Sequence, residues 1–432
     1  MSPIRQHARV LTASLVGTTV EFYDFYVYAT AAALVFGPLF FPAESPSAQL
    51  LFSLMSLSLA FVARPVGAIA FGHFGDRLGR KSTLVASLLL MGGSTLLIGF
   101  LPTYAFMDEF GIGWLAPLLL CILRFGQGFA LGGEWGGAAL LAVENAPPGW
   151  EARFGSAPQY GAPLGFIFAN GLFLLIGLGL SDAQFTSWGW RIPFLFSAVL
   201  VMVGLWVRLR ISETPAFAAA SKHERPPALP VSDLLRGHAG PLLATAAGSI
   251  AAFALFYLST AFVLGHMTTA RGFSREEVLV VQLAANPLFI VGIAVSAIWA
   301  DRTSSGLVLG AGAGLTIITG LVFGQVLGSG GLWSLFAMLS LALFAMGMVY
   351  GPLGSWMSRV FPVRVRYTGI SIAFTGGGLI GGALAPIGAQ ALSASGGIAF
   401  TGLILCAAGL VTLAGVLLLR ASVAPDPSTS SG

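Results

Sequence analysis

Charge is what this chain has least of: Asp, Glu, Lys and Arg make up 9% of its 432 residues, where soluble domains carry about 25%. A globule so poor in charge would aggregate, which excludes the soluble classes. Cysteine is nearly absent. Cys121 and Cys406 both sit in apolar runs, so neither a disulfide framework nor thiol redox chemistry is expected. The five histidines (His7, His73, His223, His238 and His266) fall in connectors or near helix ends, which gives no basis for a histidine relay or a metal site. No Gly-x-x-x-x-Gly-Lys-Ser/Thr sequence occurs, so no phosphate-cradling loop for ATP is expected. The pI of about 9.3 comes from residues scattered over short connectors, with no continuous basic face for nucleic acid.

Apolar residues take the place of charge, at 56% of the chain with a mean hydropathy of +0.87. Stretches of about 20 apolar residues can cross a bilayer. They recur near 10–37, 49–72, 82–101, 113–142, 155–180, 190–208, 239–265, 278–299, 306–327, 332–357, 367–391 and 396–420, which predicts twelve transmembrane helices in an all-α integral membrane protein. The one strongly polar interruption, Arg208 to His238, divides the set into a six-helix bundle over 1–208, a central linker over 209–238, a second bundle over 239–420 and a short tail over 421–432. Sixteen of the 21 Lys and Arg residues fall on the side shared by the termini and the even-numbered connectors, and three fall on the other. That bias places both termini in the cytoplasm. The long first helix lacks a cleavage site, so no cleaved signal peptide is expected.

Helix 1 carries a polar stripe. Glu21, Asp24 and Tyr28 follow at spacings of three and four, with Thr18 one turn earlier, which puts them on one face. Carboxylates at membrane depth persist where a partner or a water-filled path receives them, so Asp24 and Glu21, with Glu134 on helix 4, are candidates for proton coupling. Helix 4 carries Arg124, Gln127 and Glu134 on a second stripe, extended about 15 Å along the axis. Two clusters are expected: Asp24, Glu21 and Arg124 near the midplane, and Glu134 with Arg64 below. A buried arginine needs a carboxylate. Were Arg124 paired with Asp24 in the empty protein, a substrate carboxylate could displace Asp24 as it takes up a proton.

The connector Gly72-His73-Phe74-Gly75-Asp76-Arg77-Leu78-Gly79-Arg80-Lys81 has a counterpart in Ala300-Asp301-Arg302-Thr303-Ser304-Ser305-Gly306. The correspondence points to two six-helix halves related in parallel, a transporter architecture. The first of these segments resembles the helix 2 to 3 signature of the major facilitator superfamily. Glu21-Phe22-x-Asp24-Phe25-Tyr26, Ala63-Arg64-Pro65-Val66-Gly67, Arg124-Phe125-x-Gln127-Gly128, Gly132-Gly133-Glu134, Gly189-Trp190-Arg191-x-Pro193-Phe194 and Phe361-Pro362-x-Arg364-x-Arg366-Tyr367 resemble its metabolite:proton symporter branch. The resemblance implies a proton-driven importer in the bacterial inner membrane, for an organic acid or zwitterion such as shikimate, oxoglutarate, citrate, proline or betaine. It implies no cofactor beyond the proton gradient.

Arg124, Gln127 and Tyr28 are the substrate candidates of the first half. The second half offers Tyr257, Gln282, Asn286 and Tyr350, polar groups that suit the uncharged part of a substrate. Arg64, Asp76, Arg77, Arg80, Lys81, Arg364 and Arg366 are assigned to a gate that latches the two halves. The expected activity is symport of a small carboxylate by a monomer in a lipid bilayer. A zwitterionic osmolyte symporter and a proton-driven exporter are the alternatives.

Overall fold

A computed structural model describes residues 8–422 except 44, 79, 133 and 211–229. Most of the linker over 209–238 and nearly all of the tail over 421–432 lie outside the described residues. With no water in a bilayer core, backbone groups must bond within their own segment, and all the long elements are helices. They are α1 (Ala8–Ala31, continued through Ala32–Phe36 and Gly37–Phe40), α2 (Pro46–Leu78), α3 (Arg80–Phe100), α4 (Leu115–Leu131 and Glu134–Glu144), α5 (Gly161–Gly179) and α6 (Ile192–Arg210). Beyond the linker come α7 (Ala239–Ala247, then Ile250–Tyr257, Leu258–Phe262 and Val263–Ala270), α8 (Arg275–Arg302), α9 (Ser305–Ser329), α10 (Leu332–Tyr350 and Leu353–Met357), α11 (Val363–Gly378, Leu379–Leu384 and Ala385–Gly396) and α12 (Gly402–Ser422). Among the described residues ten helical stretches are long and apolar enough to cross a membrane; α1 and α3 are outside that set, and α3 has a shorter apolar run at Val85–Phe100.

The halves meet along α2 and α11, α5 and α8, and α1 and α7. Glycine sets the spacing inside the first half. A Cβ at Gly132 of α4 would lie 2.1 Å from the Arg64 carbonyl of α2, and one at Gly128 would lie 2.2 Å from that of Ala60. Only glycine lets these helices touch backbone to backbone, so packing accounts for Gly132.

Single π turns interrupt α1 at Ala32–Phe36 and α7 at Leu258–Phe262. A π turn withdraws carbonyls from the α ladder, and in an apolar core they need other donors. The neighbouring helix supplies them in both halves. Ser53 Oγ of α2 donates to Ala32 O at 2.6 Å, and Gln282 Nε2 of α8 donates to Ser259 O at 3.0 Å and Thr260 O at 2.9 Å.

On the face where α1 begins and α12 ends, Asp301 at the end of α8 closes the halves together. Its Oδ1 accepts from Ala152 N at 2.7 Å, and its Oδ2 accepts from Arg153 N at 3.2 Å and Arg153 Nε at 2.6 Å. It thereby caps the short helix Glu151–Gly155 of the other half. The opposite face is tied by Gln390 Nε2 of α11 to Ser47 Oγ of α2 at 2.9 Å. It is tied again by Arg275 of α8, whose Nη2 lies 2.8 Å from Asp182 Oδ1.

Candidate transport site

Asp24 and Arg124 are fully buried within the first half, and among the described residues no ion pair joins them. Asp24 Oδ1 accepts from Ser197 Oγ of α6 at 2.5 Å, and its Oδ2 has no hydrogen-bond partner. Arg124 Nη1 donates to Gln127 Oε1 at 2.8 Å, and Gln127 Nε2 donates to Thr95 Oγ1 of α3 at 2.7 Å. The Asp24 carboxyl also faces Thr95. The pairing expected from the sequence is therefore replaced by a chain, in which Gln127 and Thr95 stand between the two charges. The Arg124 guanidinium is stacked on the rings of Phe25 at 4.1 Å and Tyr28 at 4.0 Å, and its Nη2 has no partner.

Glu21 does not join Asp24 and Arg124. It lines a cavity between the halves together with Arg64 of α2, Trp135 of α4, Tyr257 of α7 and Phe374 of α11. The expected grouping fails for a geometric reason: three residues turn a helix by about 300°, which leaves a ~60° offset. That offset sends Glu21 to the interface between halves and Asp24 inward to α3 and α6. The cavity holds about 630 Å³ out to its open mouth. Arg64 is 9% exposed, with its guanidinium 4.8 Å from the Phe25 ring and 4.7 Å from that of Phe61. Its Nε is without a partner, and the phenols of Tyr26, Tyr257 and Tyr350 stand around it. Arg64, assigned to the gate from sequence, thus lies on the cavity wall. Trp135 and Phe374 stack at 3.6 Å with their planes 2° apart, one ring from each half.

The other candidates divide in two. Tyr257 lines this cavity and, with Tyr26 and Tyr350, a smaller aromatic one beside it of about 290 Å³. Tyr28, Gln127, Gln282 and Asn286 are buried and line neither. Tyr28 Oη is bonded to Ser56 Oγ at 2.8 Å, Gln282 holds the π turn of α7, and Asn286 Nδ2 donates across the halves to Pro163 O at 3.0 Å. Each of these amides makes an interhelical bond, while Gln282 Oε1 and Asn286 Oδ1 have no partner.

The side chains of Glu134, Asp76, Arg77, Arg80, Lys81 and Arg364 lie outside the described residues. Arg366 sits at the start of α11, its Nε on Phe361 O at 3.1 Å and its Nη1 3.7 Å from Glu144 Oε1 of α4. Sequence reasoning missed Ser197, Thr95 and Trp135 as site residues, and Gln159. The Gln159 amide accepts from Trp135 Nε1 at 3.3 Å and donates to Tyr350 O at 3.3 Å.

Two helical halves with a largely apolar cavity between them, carrying Glu21 and Arg64 on its wall, and tied to one another on both faces have the form of a membrane carrier. Comparison with known proteins agrees. Residues 10–246 match the sugar (and other) transporter family. The inner membrane metabolite transport protein YhjE of Escherichia coli K12 is 46% identical over 428 residues, 96% of this chain and 95% of that one. The shikimate transporter of the same organism is 38% identical over 89% of this chain and 87% of its own length. Among solved structures, the proton:xylose symporter XylE superposes with a TM-score of 0.73 at 14% identity, covering 96% of this chain and 95% of XylE. The chain belongs to the major facilitator superfamily, in its sugar (and other) transporter family, and is a multi-pass membrane transport protein, not an enzyme.

Proposed function

We propose that this protein is a proton-coupled symporter that imports a small organic carboxylate across the bacterial inner membrane by alternating access. Asp24 carries the proton. The observation behind this reading is the Asp24 carboxyl itself, fully buried, with one hydroxyl donor and one oxygen unpartnered. A lone carboxylate in an apolar core is costly, so movement of the carrier suits the neutral acid, and water reaching Asp24 in an open state suits its release. Arg64, unpartnered at Nε on the cavity wall, meets the substrate carboxylate in a charge-assisted bond. The phenols of Tyr257 and Tyr350 serve the uncharged part. In this reading α1 and α3 cross the membrane as well, giving twelve spans, and both termini are cytoplasmic. The Asp301 and Arg153 latch and the stack of Trp135 on Phe374 then close the cytoplasmic side.

Glu21 on the same cavity wall as Arg64 favours a second reading, a zwitterion held at both ends. The relatives named shikimate transporter and proline/betaine transporter bracket these two substrate classes. Uptake into proteoliposomes under an imposed pH gradient tests both, with carboxylates and betaines as substrates. The symport reading requires gradient-driven accumulation that is lost in Asp24→Asn and Arg64→Ala. Equal uptake with and without the gradient would reduce the protein to a facilitator.

A further inference from the structure

The bonds between Arg124 and Asp24 have a fixed sense except at one atom. Arginine only donates, so the Gln127 oxygen must face Arg124 at 2.8 Å and the Gln127 nitrogen must donate to Thr95 Oγ1 at 2.7 Å. Thr95 Oγ1 has a single proton, directed at Met91 O of its own helix at 3.0 Å. The same hydroxyl faces the Asp24 carboxyl, where Oδ2 is open. A hydroxyl proton turns about its C–O bond to suit its neighbours. It is the one movable donor in the chain.

We infer that Thr95 is a positioning residue for proton coupling, whose hydroxyl passes the charge of Asp24 to Arg124 through Gln127. With Asp24 neutral, Thr95 donates to Met91 O. With Asp24 ionised, the hydroxyl turns to the carboxylate, and its oxygen becomes a stronger acceptor for Gln127, which in turn holds Arg124 more firmly. Such chains strengthen cooperatively when an ion stands at each end. The carboxylate and the guanidinium thus compensate one another without touching, and protonation of Asp24 loosens Arg124. The titratable group facing the carboxyl is Tyr23 on α1, with its Oη on Pro193 O at 2.8 Å; Arg124 on α4 stands behind Gln127 and Thr95. From α3 and α6 it meets the hydroxyls of Thr95 and Ser197.

The inference rests on Asp24 as the proton carrier, and its test needs no substrate. The infrared carboxyl band of the full chain in nanodiscs is titrated with pH and assigned by its absence in Asp24→Asn. Loss of a donor to the ionised form is expected to make Asp24 hold its proton about tenfold more tightly in Thr95→Val, with Thr95→Ser matching the parent. Gln127→Leu is the deciding variant, because its side chain does not bond Asp24. It is expected to shift the titration in the same direction, and Gln127→Met provides the same comparison if the leucine variant does not fold. A parent-like titration in the Gln127 variants, or in Thr95→Val, would overturn the relay while leaving Asp24 as the carrier. Absence of any titrating band that Asp24→Asn removes would overturn both.

Discussion

Arg64 and Arg124 share one aromatic ring: the guanidiniums lie 4.8 Å and 4.1 Å from the centre of Phe25. Arg64 belongs to the cavity and Arg124 to the interior of the first half, and Phe25 follows Asp24 in the chain. A ring face attracts a cation by about 0.5–2 kcal/mol, more when water is excluded, and here it also stands between two like charges. Phe25→Leu removes both contacts and is expected to destabilise the protein by about 1–3 kcal/mol, while Phe25→Tyr keeps the ring. Thermal unfolding in detergent distinguishes the two, and equal melting temperatures would mean that the shared ring contributes nothing.

Gln282 was a substrate candidate in the sequence and is a backbone partner in the fold. Gln282→Leu leaves the Ser259 and Thr260 carbonyls without their donor, at a cost of about 1–3 kcal/mol for each buried orphan. Ser53→Ala at the matching place in the first half removes one such bond and should cost less. Stability is expected to fall in both variants while KM for transport stays near that of the parent. A large rise in KM without loss of stability would return Gln282 to the substrate.

Asp301 is 2% exposed at its side chain, and Arg153 is 29% exposed. Removing the carboxylate therefore removes three hydrogen bonds and leaves the short helix Glu151–Gly155 uncapped, whereas Arg153→Ala removes one exposed end of the pair. Asp301→Ala is expected to open the terminal face far more than Arg153→Ala. Maleimide labelling of Ser371→Cys, beside the cavity, reads this in a background with Cys121 and Cys406 replaced by serine. Equal labelling in all variants would show that Asp301 does not hold the face closed.

Trp135 and Phe374 stack across the halves, and aromatic pairs are worth about 0.5–1.5 kcal/mol beyond their burial. Trp135→Leu breaks the stack and the bond to Gln159 together. Labelling of Ser371→Cys is expected to increase severalfold. Trp135→Phe, which keeps a ring without the indole N–H, should lie between parent and leucine variant, and parent-like labelling in Trp135→Leu would remove the stack from the gate.

The helical class of the chain and the family were legible because they rest on quantities that sum along a sequence. Runs of apolar residues fix where helices can lie, since a bilayer core supplies no partner for the backbone, and the repeated Asp-Arg connectors mark the two halves. The buried charges Asp24, Arg124 and Arg64 were legible too, because charge stands out against an apolar background. Their partners were not. Glu21 and Asp24 share a stripe in sequence yet face different neighbours, and a single helix does not say what packs on each side of it. Gln127, Gln282 and Asn286 have the same chemistry whether they bind a substrate or a carbonyl. Only the packing of α1 against α3, α5 and α6, and of one half on the other, decided that Arg64 meets the cavity while Arg124 is bonded to Gln127, and Gln127 to Thr95 beside Asp24. A hydrogen bond is set by distances of a few tenths of an ångström between residues far apart in the chain, and no local pattern encodes them.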